Sequence, residues 1–286
     1  MAVVLITGSS VGIGRATALD LARAGHTVIT TMRDLARGAE LAATAAAERL
    51  PIHLRVLDVD RDASVASCLG GLLAEGVVPD VLVNNAGIER HGAIEELSMA
   101  AIREVMETNY FGAVRCTKAL IGPMRERGSG CIVNVTSVAG RIASSPLGAY
   151  AASKHALEAL GEALAQELRP FGVRVRIVEP GITDTAMAQA MPGSASPRYR
   201  QVRQMAALFR ASLSHPVPPT VTAGVIRAAI ESDGDQLRWP AGPDAAGFLA
   251  WRASMSDEAW VAFNSMPDDE WVAAVKATFG MDVALA

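Results

Sequence analysis

Two side chains spaced for proton transfer stand at Tyr150-Ala-Ala-Ser-Lys154. In a helix, residues four apart share one face, a turn from each other. A free phenol, with a pKa of about 10, trades protons poorly near neutrality. An ammonium about 5 Å away, at an effective dielectric of about 20, would favour the phenolate by roughly 3 kcal/mol, or about 2 pH units. The pair reads as an acid/base group, although this spacing also occurs on helices that do no chemistry.

A second constellation lies near the N-terminus, at Thr7-Gly8-Ser9-Ser10-Val11-Gly12-Ile13-Gly14. It follows an apolar run and opens a helical one. Glycines let the backbone turn tightly and come close to a pyrophosphate, and the helix start supplies free N–H groups and a positive dipole end. The next apolar run ends Thr30-Thr31-Met32-Arg33-Asp34. An acid at the Met32 position would hold the ribose hydroxyls of NAD. Met32 cannot, whereas Arg33 can pair with a 2′-phosphate, and Asp34 can point elsewhere. The expected cofactor is NADP(H).

The elements that must position these groups alternate. Strands are expected at 3–7, 27–31, 53–58, 80–84, 131–136, 173–178 and 236–239, and helices at 13–24, 35–50, 63–74, 99–120 and 149–168. Strict succession implies right-handed crossovers and a parallel sheet, and near-continuous apolar strands imply burial on both faces. The expected fold is α/β: a doubly wound sheet of about seven strands with helices on both faces, plus a C-terminal helical extension. Functional residues should then follow the carboxyl ends of strands. Residues 1–244 form the expected catalytic domain and 245–286 the extension. Segment 186–219, rich in Met and Pro with four arginines and no acid, reads as an insertion.

Composition narrows the classes. The chain has 286 residues, half of them apolar, and a formal charge of -4. That suffices for a large core and gives no electrostatic footprint for nucleic acid or an anionic membrane. The first residues lack a basic leader, and no unbroken apolar stretch reaches about 18 residues. Cys68, Cys116 and Cys131 lack metal-ligand spacing, so no metal is expected and buried thiols in a cytoplasmic protein are.

Taken together, Thr7-Gly8-x-x-x-Gly12-Ile13-Gly14, Asn84-Asn85-Ala86-Gly87, Ser137, Tyr150-x-x-x-Lys154 and Pro180-Gly181 resemble the short-chain dehydrogenase/reductase superfamily, in order and register from about residue 3 to about 243. Thr-Met-Arg-Asp-Leu and Val-Glu-Pro-Gly look most like its hydroxysteroid and retinol dehydrogenase members. The resemblance implies a Rossmann sheet and reversible hydride transfer between NADP(H) and a hydrophobic ketone, aldehyde or alcohol. It gives Tyr150 the proton transfer and Ser137 a hydrogen bond to the same substrate oxygen. Lys154 would hold the nicotinamide ribose and lower the Tyr150 pKa, and Asn109 would tie a water-linked relay to the lysine.

The remaining cofactor contacts implied by the resemblance are Gly8, Ser10, Gly12, Ile13 and Gly14 at the pyrophosphate and Arg33 at the 2′-phosphate. Asp58 and Val59 would meet the adenine, and Asn85, Ala86 and Gly87 the adenosine ribose side. Pro180, Gly181, Ile182 and Thr185 would frame the nicotinamide, with its carboxamide on Thr185 and the Ile182 backbone. Asp58 and Asn85 also fit as strand-end caps. The insertion resembles a lid, with Met187, Met191, Met205, Leu208 and Phe209 as an apolar cover. Glu89-Arg90-His91, Arg141, Ser144, Ser145 and Leu147 would form the opposite wall.

Trp251, Trp260 and Trp271 recur on short helical stretches of the extension. They would pack on the domain or a neighbouring subunit, or close one end of the pocket. Helices matching 99–120 and 150–169 pair between subunits in the family, so a homodimer or homotetramer is expected. Two alternatives stay open: an acyl-carrier-linked 3-ketoacyl reductase that docks through the lid arginines, and a non-catalytic NADP-binding sensor.

Overall fold

The computed structural model describes residues 1–193 and 196–285. Ser194 and Ala195, inside the expected lid, and Ala286, at the end of the extension, lie outside the described residues. Seven parallel strands form one sheet: β1 (Val3–Ile6), β2 (Thr27–Met32), β3 (Ile52–Val56), β4 (Val81–Asn84), β5 (Gly130–Val135), β6 (Val173–Pro180) and β7 (Arg238–Ala241). Their spatial order is β3-β2-β1-β4-β5-β6-β7. The order reverses between β1 and β4, and there the carboxyl ends open a crevice.

The helices are α1 (Gly12–Arg23), α2 (Ala39–Glu48), α3 (Asp62–Ala74), α4 (Met99–Met106), α5 (Gly112–Arg127), α6 (Gly148–Leu168), α7 (Ala186–Ala190), α8 (Arg200–Leu213), α9 (Pro219–Glu231), α10 (Ala245–Ala253), α11 (Asp257–Asn264) and α12 (Asp268–Phe279). Alternate strand residues feed two cores, which is why strands such as β1 and β4 read as near-continuous apolar runs. Val4, Ile6, Val28 and Val133 pack with Leu21 of α1, Leu41 of α2 and Ile226 of α9. Leu5, Leu82 and Ile132 pack on the other face with Leu69 of α3, Leu120 of α5 and Leu164 of α6.

Three departures from the sequence expectation have local causes. The expected helix at 35–50 begins as a separate tight turn, Leu35–Gly38, because Asp34 accepts a hydrogen bond from Ala36 N at 2.9 Å. The expected helix at 99–120 is broken by a one-turn π segment, Glu107–Phe111, and continues to Gly128, whose left-handed backbone ends it. Helix α9 forms inside a stretch assigned no element, with Pro219 at its first turn, where no N–H is needed.

The lid and the extension fold together. Ala207 of α8 packs with Trp271 and Val275 of α12 and with Val283. Asp268 accepts from Arg203 Nε at 2.9 Å and Gln204 Nε2 at 3.0 Å, and Arg210 donates to Ala284 O at 3.2 Å. Arginines that look solvated or ligand-seeking in the sequence thus bind lid to tail. Arg198 pairs with Glu95 at 3.7 Å. Ser256 caps α11 through Ala259 N at 3.2 Å, and three acids open α12.

Candidate active site

The glycine loop links β1 to α1. Gly8 has φ +67°, and a Cβ there would lie 2.7 Å from Ala86 Cα; one on Gly14 would lie 2.5 Å from Asn85 Nδ2 and from Gly8 O. Only glycine fits either position. Asn85 Nδ2 donates to Thr7 O and Gly8 O, each at 2.9 Å, so its amide fastens the loop to the end of β4. Ser9 is buried and donates to Thr31 O at 3.2 Å, whereas Ser10 faces the cavity. Helix α1 begins with no side-chain cap and no acid in its first turn. Its free N–H groups open onto the crevice, and this is the arrangement that receives a pyrophosphate.

At the end of β2, Met32 is 3% exposed and packs with the core at the cavity's edge, and the exposed Arg33 and Arg37 line the cavity with it. Arg37 was not expected from the sequence; only the turn at Leu35–Gly38 brings it beside Arg33. Asp34 is turned to Ala36 N and is not among the described lining residues. Asp58, Val59 and Asp60 line the same end, with Asp58 Oδ1 accepting from Asp60 N at 3.2 Å. Val59 is held by Gly112, where a Cβ would lie 2.7 Å from Val59 Cγ2. This end of the cavity thus presents two guanidinium groups, two carboxylates and the Val59 side chain.

The reacting end lies where β4, β5 and β6 finish. Tyr150 and Lys154 do share a face of α6, with Lys154 Nζ 5.6 Å from the phenol ring centroid. The electrostatics differ from the sequence expectation. Burial, followed by the negative charge of Glu89, pushes the Tyr150 pKa above the ordinary tyrosine value, and a hydrogen bond with Ser137 offsets this in part. Burial also pushes Lys154 down to about 8, against the pull of Glu89 and Glu158. Lys154 Nζ donates to Val135 O at 2.9 Å.

Asn109 sits in the π segment and is 1% exposed. Its Oδ1 accepts from Ile88 N at 2.8 Å, and its Nδ2 donates to Ile88 O and Ser153 Oγ, each at 2.9 Å. Beside it, a Cβ on Gly87 would lie 3.4 Å from Asn109 Oδ1 and 3.6 Å from Lys154 Nζ. Asn109, Gly87 and Lys154 therefore meet at one point. Below the lysine, Thr136 donates to Glu158 at 2.7 Å and Arg238 Nε donates to Glu158 at 2.9 Å. Glu179, 1% exposed, has Arg141 at 3.5 Å and is pushed up to about 7 by burial and by Glu158.

The turn after β6 brings Pro180, Gly181, Ile182 and Thr185 to the cavity. The Ile182 N–H, expected to hold a carboxamide, is instead donated to Asp244 Oδ2 at 2.8 Å. The reason is steric closeness: a Cβ on Gly181 would lie 2.2 Å from Asp244 Oδ1. Thr185 accepts from Ala188 N at 3.2 Å.

Beyond this turn the cavity, about 480 Å³ in all, is walled by Met187, Met205, Leu208 and Phe209 of the lid and by Phe248, Trp251, Trp260, Trp271 and Phe279 of the extension. The Trp251 ring packs edge-on against Trp260, Phe263 and Phe279, with centroids 5.2, 5.0 and 4.8 Å away. Trp260 Nε1 donates to Ala143 O at 2.8 Å, tying the extension to the loop before Tyr150. Among the expected wall residues, Met191 is fully buried, Arg90 pairs with Glu104 at 2.9 Å, and Arg141 turns to Glu179. Glu89, Ser144, Ser145 and Leu147 do line the cavity. Among the described residues, no helix is long and apolar enough to cross a membrane.

Comparison with known proteins agrees with this geometry. The family model described as short chain dehydrogenase matches residues 2–194. Retinol dehydrogenase 8 of Bos taurus is 46% identical over 183 residues, covering 62% of this chain and 58% of that protein. The chain thus matches little more than half the length of that relative. A short-chain dehydrogenase from Streptomyces avermitilis superposes with a TM-score of 0.79 at 36% identity, over 88% of this chain and 92% of that one. A gluconate 5-dehydrogenase from Burkholderia cenocepacia, solved with NADP and tartrate, gives 0.69 at 27% identity, over 80% and 86%.

Proposed function

This chain belongs to the short-chain dehydrogenase family, and from that premise we propose that it is an NADPH-dependent reductase of hydrophobic ketones or aldehydes. The observation that carries the reading is Tyr150, with Lys154 Nζ 5.6 Å from its ring centroid, at the junction of the glycine-loop cleft and an aromatic chamber. The cofactor, when bound, supplies a hydride. The uncapped start of α1 with Gly8, Ser10, Gly12, Ile13 and Gly14 would hold its pyrophosphate, and Arg33 with Arg37 its 2′-phosphate. Asp58 and Val59 would flank the adenine, Asn85, Ala86 and Gly87 the ribose beside it, and Pro180, Gly181, Ile182 and Thr185 the nicotinamide side.

Tyr150 gives its proton to the carbonyl oxygen as negative charge develops there, and Ser137 Oγ donates to the same atom. Such a donor contributes about 3 kcal/mol to the transition state. Lys154 holds a positive charge beneath the phenol, which stabilises the tyrosinate that remains. Asn109 fixes the Ile88 backbone and Ser153, and so the wall on which Lys154 rests.

Residues 1–244 serve as the catalytic unit and 245–286 as the wall that sets the chamber's apolar character. Pairing through the faces of α4, α5 and α6 gives the homodimer or homotetramer. Arg198, Arg203 and Arg210 are engaged within the protein, which disfavours docking of an acyl carrier on the lid. The intact Ser137, Tyr150 and Lys154 disfavour a non-catalytic sensor. A screen of NADPH oxidation over apolar ketones, aldehydes and acyl thioesters tests the reading. Turnover of apolar ketones or aldehydes is expected, and an absence of turnover on all three classes contradicts it.

A further inference from the structure

The substrate end of the cavity combines aromatic and aliphatic side chains with neutral polar ones such as Ser144, Ser145 and Asn264, and one acid stands among them. Asp58 and Asp60 line the cavity after β3, at the adenosine end, and among the described residues Glu89 is the carboxylate lining it beside Tyr150 and Lys154. Glu89 follows Ile88, whose N–H and C=O are both bound by Asn109, so its backbone is fixed. Its side chain is 6% exposed, and its Oε1 lies 3.0 Å from Nε2 of His91, which is 10% exposed. His91 is not among the described lining residues, so it backs the carboxylate from outside the cavity. The charge of Glu89 reaches both Tyr150 and Lys154.

A buried carboxylate is expensive unless something repays its lost hydration. Proton donation by Tyr150 does not use it. Lys154 has a second carboxylate, Glu158, one turn along its own helix, and its Nζ is turned to Val135 O. We propose that Glu89 is a specificity-determining residue that accepts a hydrogen bond from a protonated amine carried by the substrate beside its reacting carbonyl. An anionic substituent there would meet repulsion, and a neutral hydroxyl would gain a weaker bond than a cation does. The aromatic chamber takes the rest of the molecule, so the substrate class is an amino ketone with an apolar tail. This deepens the reductase reading and rests on it.

The test compares kcat/KM for three ketones of one chain length, bearing an ammonium, a hydroxyl or a hydrogen next to the carbonyl. Wild type and Glu89→Gln are assayed with NADPH. The wild type is expected to prefer the ammonium compound over the unsubstituted one by about 10- to 100-fold, and Glu89→Gln to lose most of that ratio. A general loss of activity cancels in the ratio. A second arm needs no turnover. Trp251 and Trp260 line the chamber, so their fluorescence reports binding of the matching amino alcohol and plain alcohol. The amino alcohol is expected to bind the wild type more tightly than the plain alcohol, by a margin that Glu89→Gln removes. If no ketone is reduced, the reductase reading fails while this arm still decides the role of Glu89. If Glu89→Gln does not fold, the wild type decides, and indifference to the ammonium overturns the proposal. So does an equal ratio in both proteins, or a preference for the hydroxyl compound.

Discussion

Removing Arg33 should collapse the preference for NADPH over NADH. Arg33 and Arg37 are the exposed cations at the end of β2, and both line the cleft. Two unit charges about 4 Å apart interact by about 1 kcal/mol in water, and a phosphomonoester carries a charge of about −1.5 to −2. Each guanidinium is therefore worth about 1.5–2 kcal/mol toward a 2′-phosphate, or about 10- to 30-fold in affinity. Exposure argues for the water dielectric, not for a larger value. Arg33→Ala should weaken NADPH by that factor with little effect on NADH, and Arg33→Ala/Arg37→Ala by about 100-fold or more. The assay is equilibrium titration of nucleotide fluorescence at low and high salt. Equal loss of NADPH and NADH binding, or no loss at all, would refute the reasoning.

Three further outcomes follow from the same geometry. Asn109→Ala removes three hydrogen bonds, each worth about 1 kcal/mol, so denaturant unfolding should show a loss of about 3 kcal/mol together with a lower kcat. Trp251→Ala opens the aromatic wall and should raise KM for an apolar ketone by about tenfold, the scale of one partly lost buried ring, with NADPH affinity unchanged in the same titration. Glu179 binds its proton more tightly in the folded protein, about 7 against 4.5. The native state therefore holds an extra proton between those values, and stability falls as pH rises through that window. Glu179→Gln lacks this fall. Its stability relative to wild type should improve by up to about 3 kcal/mol between pH 4.5 and pH 8, and parallel stability curves for the two proteins would count against the assignment.

Strands β1 and β4 were readable because burial on both faces writes a run such as Val-Val-Leu-Ile or Val-Leu-Val into the chain. The glycine loop and Tyr150 with Lys154 were readable because their geometry is local: a turn, a helix start, one helical repeat. The site features that escaped notice depend on one unforeseen local turn and on contacts between distant segments. Arg37 reaches the cleft only because Asp34 tightens the turn before it. Asp244 meets Ile182 across 62 positions, and Asp268 meets Arg203 across 65. No periodicity signals such pairs. The same holds for the Tyr150 pKa: spacing reports the nearby ammonium, but neither the burial nor the Glu89 carboxylate that raises it.

The central claim is that the Tyr150 hydroxyl supplies the proton to a bound carbonyl. The direct measurement is a single-turnover experiment with Tyr150→Phe, saturated with NADPH and mixed with a ketone the wild type reduces. NADPH should bind with its usual affinity and the absorbance at 340 nm should decay at least about a thousandfold more slowly. Decay at the wild-type rate would contradict the account.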